Sequence, residues 1–136
     1  MKSRLTSLDG VLILEPAFFS DSRGYFCETY NQNTLKSLGI CAQFVQDNES
    51  LSRYGVVRGL HFQKPPYAQA KLIRVIEGKI LDVVLDIRIG SPTFGQTTSV
   101  VLSSDHNLQL FVPKGFAHGF FLLTPHSRID YKYDAF

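Results

Sequence analysis

The chain has no tryptophan, one methionine and only two cysteines in 136 residues. Cys27 and Cys41 lack the spacing of a zinc site and are too few for a disulfide-stapled scaffold. Both are expected to be reduced thiols in a cytoplasmic protein. No apolar run approaches the roughly 20 residues a membrane helix needs, so no membrane association is expected. The opening Met1-Lys2-Ser3-Arg4-Leu5 leads into polar residues rather than an apolar core, and no signal peptide is expected. Charge of one sign is scarce as well. The net charge is +2, the pI is near 8.6 and the basic residues are scattered, which argues against a nucleic-acid partner. Only 19% of residues are charged while 44% are hydrophobic, so the chain can bury a core. Its length suits one domain over residues 1–136.

What the chain has is aromatic and β-branched residues. Eleven Phe and six Tyr, with abundant Val, Ile and Leu, favour strands over helices. Strands are expected at 10–15, 25–30, 44–50, 57–63, 71–77, 80–86, 97–102, 107–112 and 120–123, and the chain ends on Ile129-Asp130-Tyr131-Lys132-Tyr133. Residues 18–24 and 113–119 read as loops, and Glu77-Gly78-Lys79 as the tight turn of a hairpin. The one helix expected is 31–39, capped by Asn33 or Thr34 and stopped at Gly39. Many short strands with regular turn signals indicate an all-β antiparallel sandwich or barrel with little helix. The aromatic strands before Gly39 exceed what one small barrel needs and could serve a partner subunit.

The chemistry centres on Val57-Arg58-Gly59-Leu60-His61-Phe62-Gln63. Strict alternation puts Arg58, Leu60 and Phe62 on one side and Gly59, His61 and Gln63 on the other, so that His61 faces a cavity while the alternate side packs. Lys71, His118 and Tyr131 read as its companions. Taken singly each has a plainer explanation. A histidine in a strand is more often structural, Lys71 alone would be an exposed lysine, and Tyr131 alone a core aromatic with a bonded hydroxyl, with Tyr133 a rival for its role. His106 and His126 read as surface residues. Glu77 and Asp82 read as hairpin charges, or as a carboxylate partner for His61.

Two histidine motifs in separate halves, Gly59-Leu60-His61-Phe62-Gln63 and Pro113-Lys114-Gly115-Phe116-Ala117-His118, resemble the cupin superfamily. Cupins bind a metal through three His and one Glu inside a jelly roll. Here Gln63 stands at the second His position, Lys71 at the Glu position and Phe121 at the Asn-like position. A lysine beside a cation site repels the metal, so the expectation is a cupin-like jelly roll without metal.

A more specific resemblance runs along nearly the whole chain. It is carried in order by Glu15-Pro16, by Asp21-Ser22-Arg23-Gly24-Tyr25-Phe26-Cys27-Glu28, by Phe44-Val45-Gln46-Asp47-Asn48, by the His61 strand, by Ala68-Gln69-Ala70-Lys71-Leu72-Ile73-Arg74-Val75, by Ser91-Pro92-Thr93-Phe94-Gly95 and by Val112-Pro113-Lys114-Gly115-Phe116-Ala117-His118-Gly119-Phe120. Together these resemble the dTDP-4-dehydrorhamnose 3,5-epimerases of dTDP-L-rhamnose synthesis. The resemblance implies a cofactor-independent epimerase acting on dTDP-4-keto-6-deoxy-glucose. His61 would be the base, Lys71 would stabilise charge on the C4 oxygen, and Tyr131 would donate the proton. Arg58 and His118 would complete the sugar and phosphate pocket, with Arg23, Glu28, Gln46 and Asn48 as nucleotide and diphosphate contacts. In the family Arg23 and Glu28 reach the neighbouring subunit's pocket, which implies a homodimer.

The pattern departs at the end. Family members continue beyond the tyrosine into a tail that carries an aspartate partner for the catalytic histidine, whereas this sequence reads Tyr133-Asp134-Ala135-Phe136 after Lys132. Three readings follow: activity with a different carboxylate, a C3-only epimerase or ketoisomerase on a related nucleotide sugar, or an inactive nucleotide-sugar-binding cupin.

Overall fold

The computed structural model describes all 136 residues, Met1–Phe136. Twelve strands and one helix follow in the order β1 (Lys2–Leu5), β2 (Leu12–Glu15), β3 (Phe18–Asp21), β4 (Gly24–Cys27), α1 (Gln32–Ser37), β5 (Gln46–Arg53), β6 (Val57–His61), β7 (Lys71–Glu77), β8 (Lys79–Asp86), β9 (Thr97–Ser103), β10 (Gln109–Val112), β11 (Phe116–Leu122) and β12 (His126–Tyr133). A six-stranded sheet ordered β1-β2-β10-β7-β12-β5 packs against a four-stranded sheet ordered β6-β11-β8-β9, and β3 and β4 pair only with each other. Every pairing is antiparallel. The expected all-β antiparallel sandwich with little helix is the fold observed.

Period-two alternation builds the core. Ile73 and Val75 of β7 meet Ile80 and Val84 of β8, with Phe120 of β11 and Ile129 of β12 completing the layer between the sheets. Each such side chain contributes roughly 1.5–3 kcal/mol by leaving water. A second cluster lies on the outer face of the larger sheet, where Leu35 and Ile40 cover Leu14, Leu72 and Phe111. The helix that carries Leu35 is shorter than 31–39. Its cap is Asn31 rather than Asn33 or Thr34: the Asn31 side chain accepts from the backbone N–H groups of both those residues, satisfying two donors the first turn leaves open.

Several expectations are corrected. Glu77-Gly78-Lys79 is not a hairpin turn, because β7 and β8 belong to different sheets. Gly78 is the crossover between them, with φ +85°, and a Cβ there would collide with the His126 carbonyl oxygen. Only glycine fits both the conformation and the space. Residues 18–24 are not simply a turn, since Phe18–Asp21 is a strand paired with Gly24–Cys27. The expected loop 113–119 ends early, because β11 begins at Phe116 and His118 lies inside it. β1 was hidden from sequence by its polar residues, being exposed along its length.

Four connections join the two sheets at one end of the sandwich: residues 54–56, Gly78, residues 104–108 and residues 123–125. They are tied together there. The Tyr54 N–H donates to the Pro125 carbonyl at 2.6 Å, the Lys79 N–H donates to Thr124 Oγ1 at 2.9 Å, and Thr124 Oγ1 donates to the His126 carbonyl at 2.8 Å. At the other end, crossed by residues 62–70 and 113–115, the sandwich stays open.

Candidate active site

The open end holds a cleft of about 520 Å³ between the two sheets. The smaller sheet contributes Arg58 and His61 from β6 and His118 from β11. The larger sheet contributes Lys71 from β7, Tyr131 and Tyr133 from β12, and Asn48 and Ser50 from β5. Six of the nine residues expected at the site, namely His61, Lys71, Tyr131, Arg58, His118 and Asn48, therefore meet in one place. A second cleft of about 270 Å³ adjoins it on the larger sheet, sharing Asp47, Asn48, Glu49 and Tyr131 and adding Arg74, Gln109, Asp130 and Lys132 among others; it includes neither histidine nor Lys71.

Arg58 and His61 share this cleft although strict alternation puts them on opposite faces. The reason is a bulge. His118 pairs with His61 and Phe120 with Arg58, so Gly59 and Leu60 together oppose the single residue Gly119. The extra residue turns Arg58 back to the cleft side. The two main chains touch at this point: a Cβ on Gly59, whose φ is +131°, would lie 2.5 Å from Gly119 Cα. The alternate side does not pack as expected either, since Leu60 and Phe62 stay about half exposed.

The polar groups are held by defined partners. Arg58 Nε donates to Ser52 Oγ at 2.9 Å. The Tyr131 hydroxyl shares a 3.0 Å hydrogen bond with Ser50 Oγ, and burial pushes the phenol up to about 12. The Tyr133 ring stacks on that of Tyr131, with centroids 6.1 Å apart and planes 14° apart. Lys71 Nζ sits 5.7 Å from the Tyr133 ring centroid, and burial pushes the Lys71 ammonium below its usual range. His118 Nε2 lies 2.8 Å from Asp82 Oδ2, both side chains being buried.

That last contact corrects an expectation. Neither Asp82 nor Glu77 serves His61. Asp82 is taken by His118, and Glu77 bonds His126 at 2.7 Å on the surface. The crossover at Gly78 explains it: β7 and β8 lie on opposing sheets, and Glu77 sits at the closed end. No group of three or more His, Cys, Asp or Glu forms an arrangement that could hold a metal.

Three expected residues lie outside the cleft lining. Gln46 Nε2 donates to Asn48 Oδ1 at 3.0 Å, one step from it. Arg23 pairs with Asp21 at 2.7 Å at the tip of the β3–β4 hairpin and is almost fully exposed. Glu28 accepts from Asn31 Nδ2 at 3.0 Å beside α1. The hairpin around Arg23 exposes Phe19, Tyr25 and Phe26 by about two-thirds each. Sequence reasoning missed Ser50 and Ser52. Their signal was the period-two series Gln46, Asn48, Ser50, Ser52, which the β5–β12 register sets opposite Tyr133, Tyr131, Ile129 and Ser127.

Residues 5–136 match the family model described as dTDP-4-dehydrorhamnose 3,5-epimerase. The enzyme of that name from Methanothermobacter thermautotrophicus is 50% identical over 127 residues, covering 93% of this chain and 68% of the relative. A crystal structure of dTDP-4-dehydrorhamnose 3,5-epimerase from Bacillus anthracis with TDP and PPi bound superposes with a TM-score of 0.96 at 51% identity, over 99% of this chain and 78% of that one. An epimerase from Legionella pneumophila in complex with dTDP-4-keto-L-rhamnose gives 0.95 at 43% identity, over 99% and 72% of the respective chains.

Proposed function

The chain belongs to the dTDP-4-dehydrorhamnose 3,5-epimerase family, and from that premise we propose that it inverts C3 and C5 of dTDP-4-keto-6-deoxy-glucose to give dTDP-4-keto-L-rhamnose. One observation carries the reading: His61 and Tyr131 enter one cleft from facing sheets, with Lys71 beside them. Protons on C3 and C5 are acidic because each carbon adjoins the C4 ketone, so the substrate's own carbonyl receives the electron pair. Inversion then needs a base on one face of the sugar and an acid on the other. His61 takes the proton. The Lys71 ammonium stabilises the enolate oxygen at C4. Tyr131 stays protonated at neutral pH, held so by burial, and delivers its proton from the opposite face. No cofactor is called for.

Arg58 and His118 supply donors to the sugar and the phosphate next to it, and Gln46 and Asn48 contact the nucleotide. Arg23 and Glu28 lie away from their own chain's cleft and act in the cleft of a second subunit, which makes the protein a homodimer with shared sites. The exposed aromatics of the β3–β4 hairpin support this, being surface that a partner would cover. No helix is long and apolar enough to cross a membrane, and a nucleotide-sugar substrate assigns the reaction to the cytoplasm.

The test is proton NMR of dTDP-4-keto-6-deoxy-glucose with the protein in deuterated water. Deuterium at both C3 and C5 with the rhamno product is the expected result. Deuterium at C3 alone would make the protein a monoepimerase. Exchange at neither carbon, with the nucleotide sugar still bound, would refute the catalytic roles of His61 and Tyr131.

A further inference from the structure

Beneath the cleft lies a carboxylate for which the steps above have no use. Asp82 is completely buried in β8, between the core residues Ile80 and Val84 and opposite Phe120 of β11. Its Oδ2 meets His118 Nε2 at 2.8 Å, while its Oδ1 has no hydrogen-bond partner at all. Burying a carboxylate and leaving one oxygen unpaired costs several kcal/mol, and a buried ion pair is seldom more stabilising than an apolar pair of the same shape. Folding alone gives little reason for an aspartate at this position of an apolar strand.

We propose that Asp82 is a positioning residue for the cleft: it holds the His118 ring by its Nε2 edge and supplies the negative charge that balances the Lys71 ammonium. This rests on the reading of the cleft given above. With Nε2–H donated to Asp82, the His118 ring is fixed in one tautomer and its Nδ1 edge is left for the substrate side. Asp82 also offsets the burial that works against the Lys71 charge. The groups around that ammonium come from every neighbouring element: Tyr131 and Tyr133 from β12, His61 and Arg58 from β6, His118 from β11, and Asp47 and Glu49 from β5 at the mouth. Of the three carboxylates, Asp47 is engaged by Lys132 at 2.8 Å, and both β5 carboxylates are exposed to screening solvent. Asp82 is the one carboxylate in the low-dielectric interior, where a charge reaches farthest; burial pushes its own carboxyl upward, and its bond to His118 and the Lys71 charge act against that, so carboxylate and ammonium support one another.

The experiment has two readouts. Asp82→Asn keeps an acceptor for His118 and removes the charge. The expected result is a kcat about 10–100-fold lower at neutral pH with little change in KM, and an alkaline limb of the pH–rate profile displaced by about one unit toward lower pH as Lys71 loses its counter-charge. A kcat within about twofold and an unmoved profile would overturn the proposal and leave Asp82 a packing residue. Nitrogen-15 NMR of the His118 ring in the wild-type protein needs neither substrate nor a folded variant. Nε2 carrying hydrogen is the expected state. An unprotonated Nε2, accepting from a neutral Asp82, would overturn the proposal even if Asp82→Asn failed to fold. A wild-type protein that exchanged no deuterium would sink the epimerase reading, while the ring tautomer would still be read.

Discussion

Replacing Tyr131 by Phe removes one oxygen and leaves the ring. In the structure that oxygen has one protein partner, Ser50 Oγ at 3.0 Å, and the residue is only 8% exposed. Ser50 borders the open cleft, so its hydroxyl can turn to water. The stability cost is therefore that of a single hydrogen bond, about 1 kcal/mol, or a melting temperature lower by roughly 3–5 °C in a chain of this size. The catalytic cost is of another order. A positioned acid contributes about 10²–10⁴ in rate, which is about 3–5 kcal/mol of barrier. The assay follows the substrate in deuterated water and reads inversion and deuterium uptake in the same spectra. Without the acid, His61 still removes the proton and can return deuterium to the face it came from. Uptake with retained configuration should therefore persist while the inverted product falls by the full factor. Inversion within about threefold of wild type would refute the assignment. If Tyr133→Phe then produced the loss, the acid would be the neighbouring phenol stacked 6.1 Å away.

Two further outcomes are expected. Arg23→Ala, at an exposed position, should leave the melting temperature unchanged and weaken substrate binding. Mixing that variant with His61→Asn should restore activity, since a heterodimer holds one cleft with both residues; mixtures no more active than their parents would show that Arg23 does not act across subunits. Gly119→Ala would bring a Cβ 2.6 Å from the Arg58 carbonyl oxygen and 2.9 Å from Gly59 Cα. Backbone atoms cannot step aside as a side chain can, so a loss of about 1–3 kcal/mol in denaturant unfolding is expected, and an unchanged midpoint would mean the two chains are less tightly apposed.

Much of this was legible in the sequence because alternation is a local property. Lys71, Ile73 and Val75 face inward as their period-two spacing requires, and the strand class followed from aromatic and β-branched content. What escaped depends on contacts between distant segments. The pairing of Arg58 with His61 on one face needs Gly119, sixty residues away, to impose a bulge. Gly78 looks the same in sequence whether it closes a hairpin or carries the chain to another sheet; only the partners of β7 and β8 decide. The carboxylate beside His118 escaped for the same reason, since two strands must align before Asp82 meets it. His61 itself was found, but its setting was not, because the exposed surface of Leu60 and Phe62 reflects which neighbours β6 lacks.

The four sheet-to-sheet connections described at one end have a consequence for motion. Where Tyr54, Lys79 and Thr124 bond across connections, the two walls are joined and must move as one body. At the opposite end two connections, residues 62–70 and 113–115, cross between the sheets, linked through Asp134, which accepts from the Ala70 N–H at 2.7 Å and pairs with Lys114 at 3.1 Å; His61, Lys71, Asn48 and Tyr131 stand at or near the strand ends there. With two crossings here against four at the other end, stiffness declines along the strand axes, from the more heavily tied end toward the chemistry. Sugar rings that change shape during inversion meet side chains able to shift by small, separate adjustments, while the register that brings them together is anchored some four to six residues away.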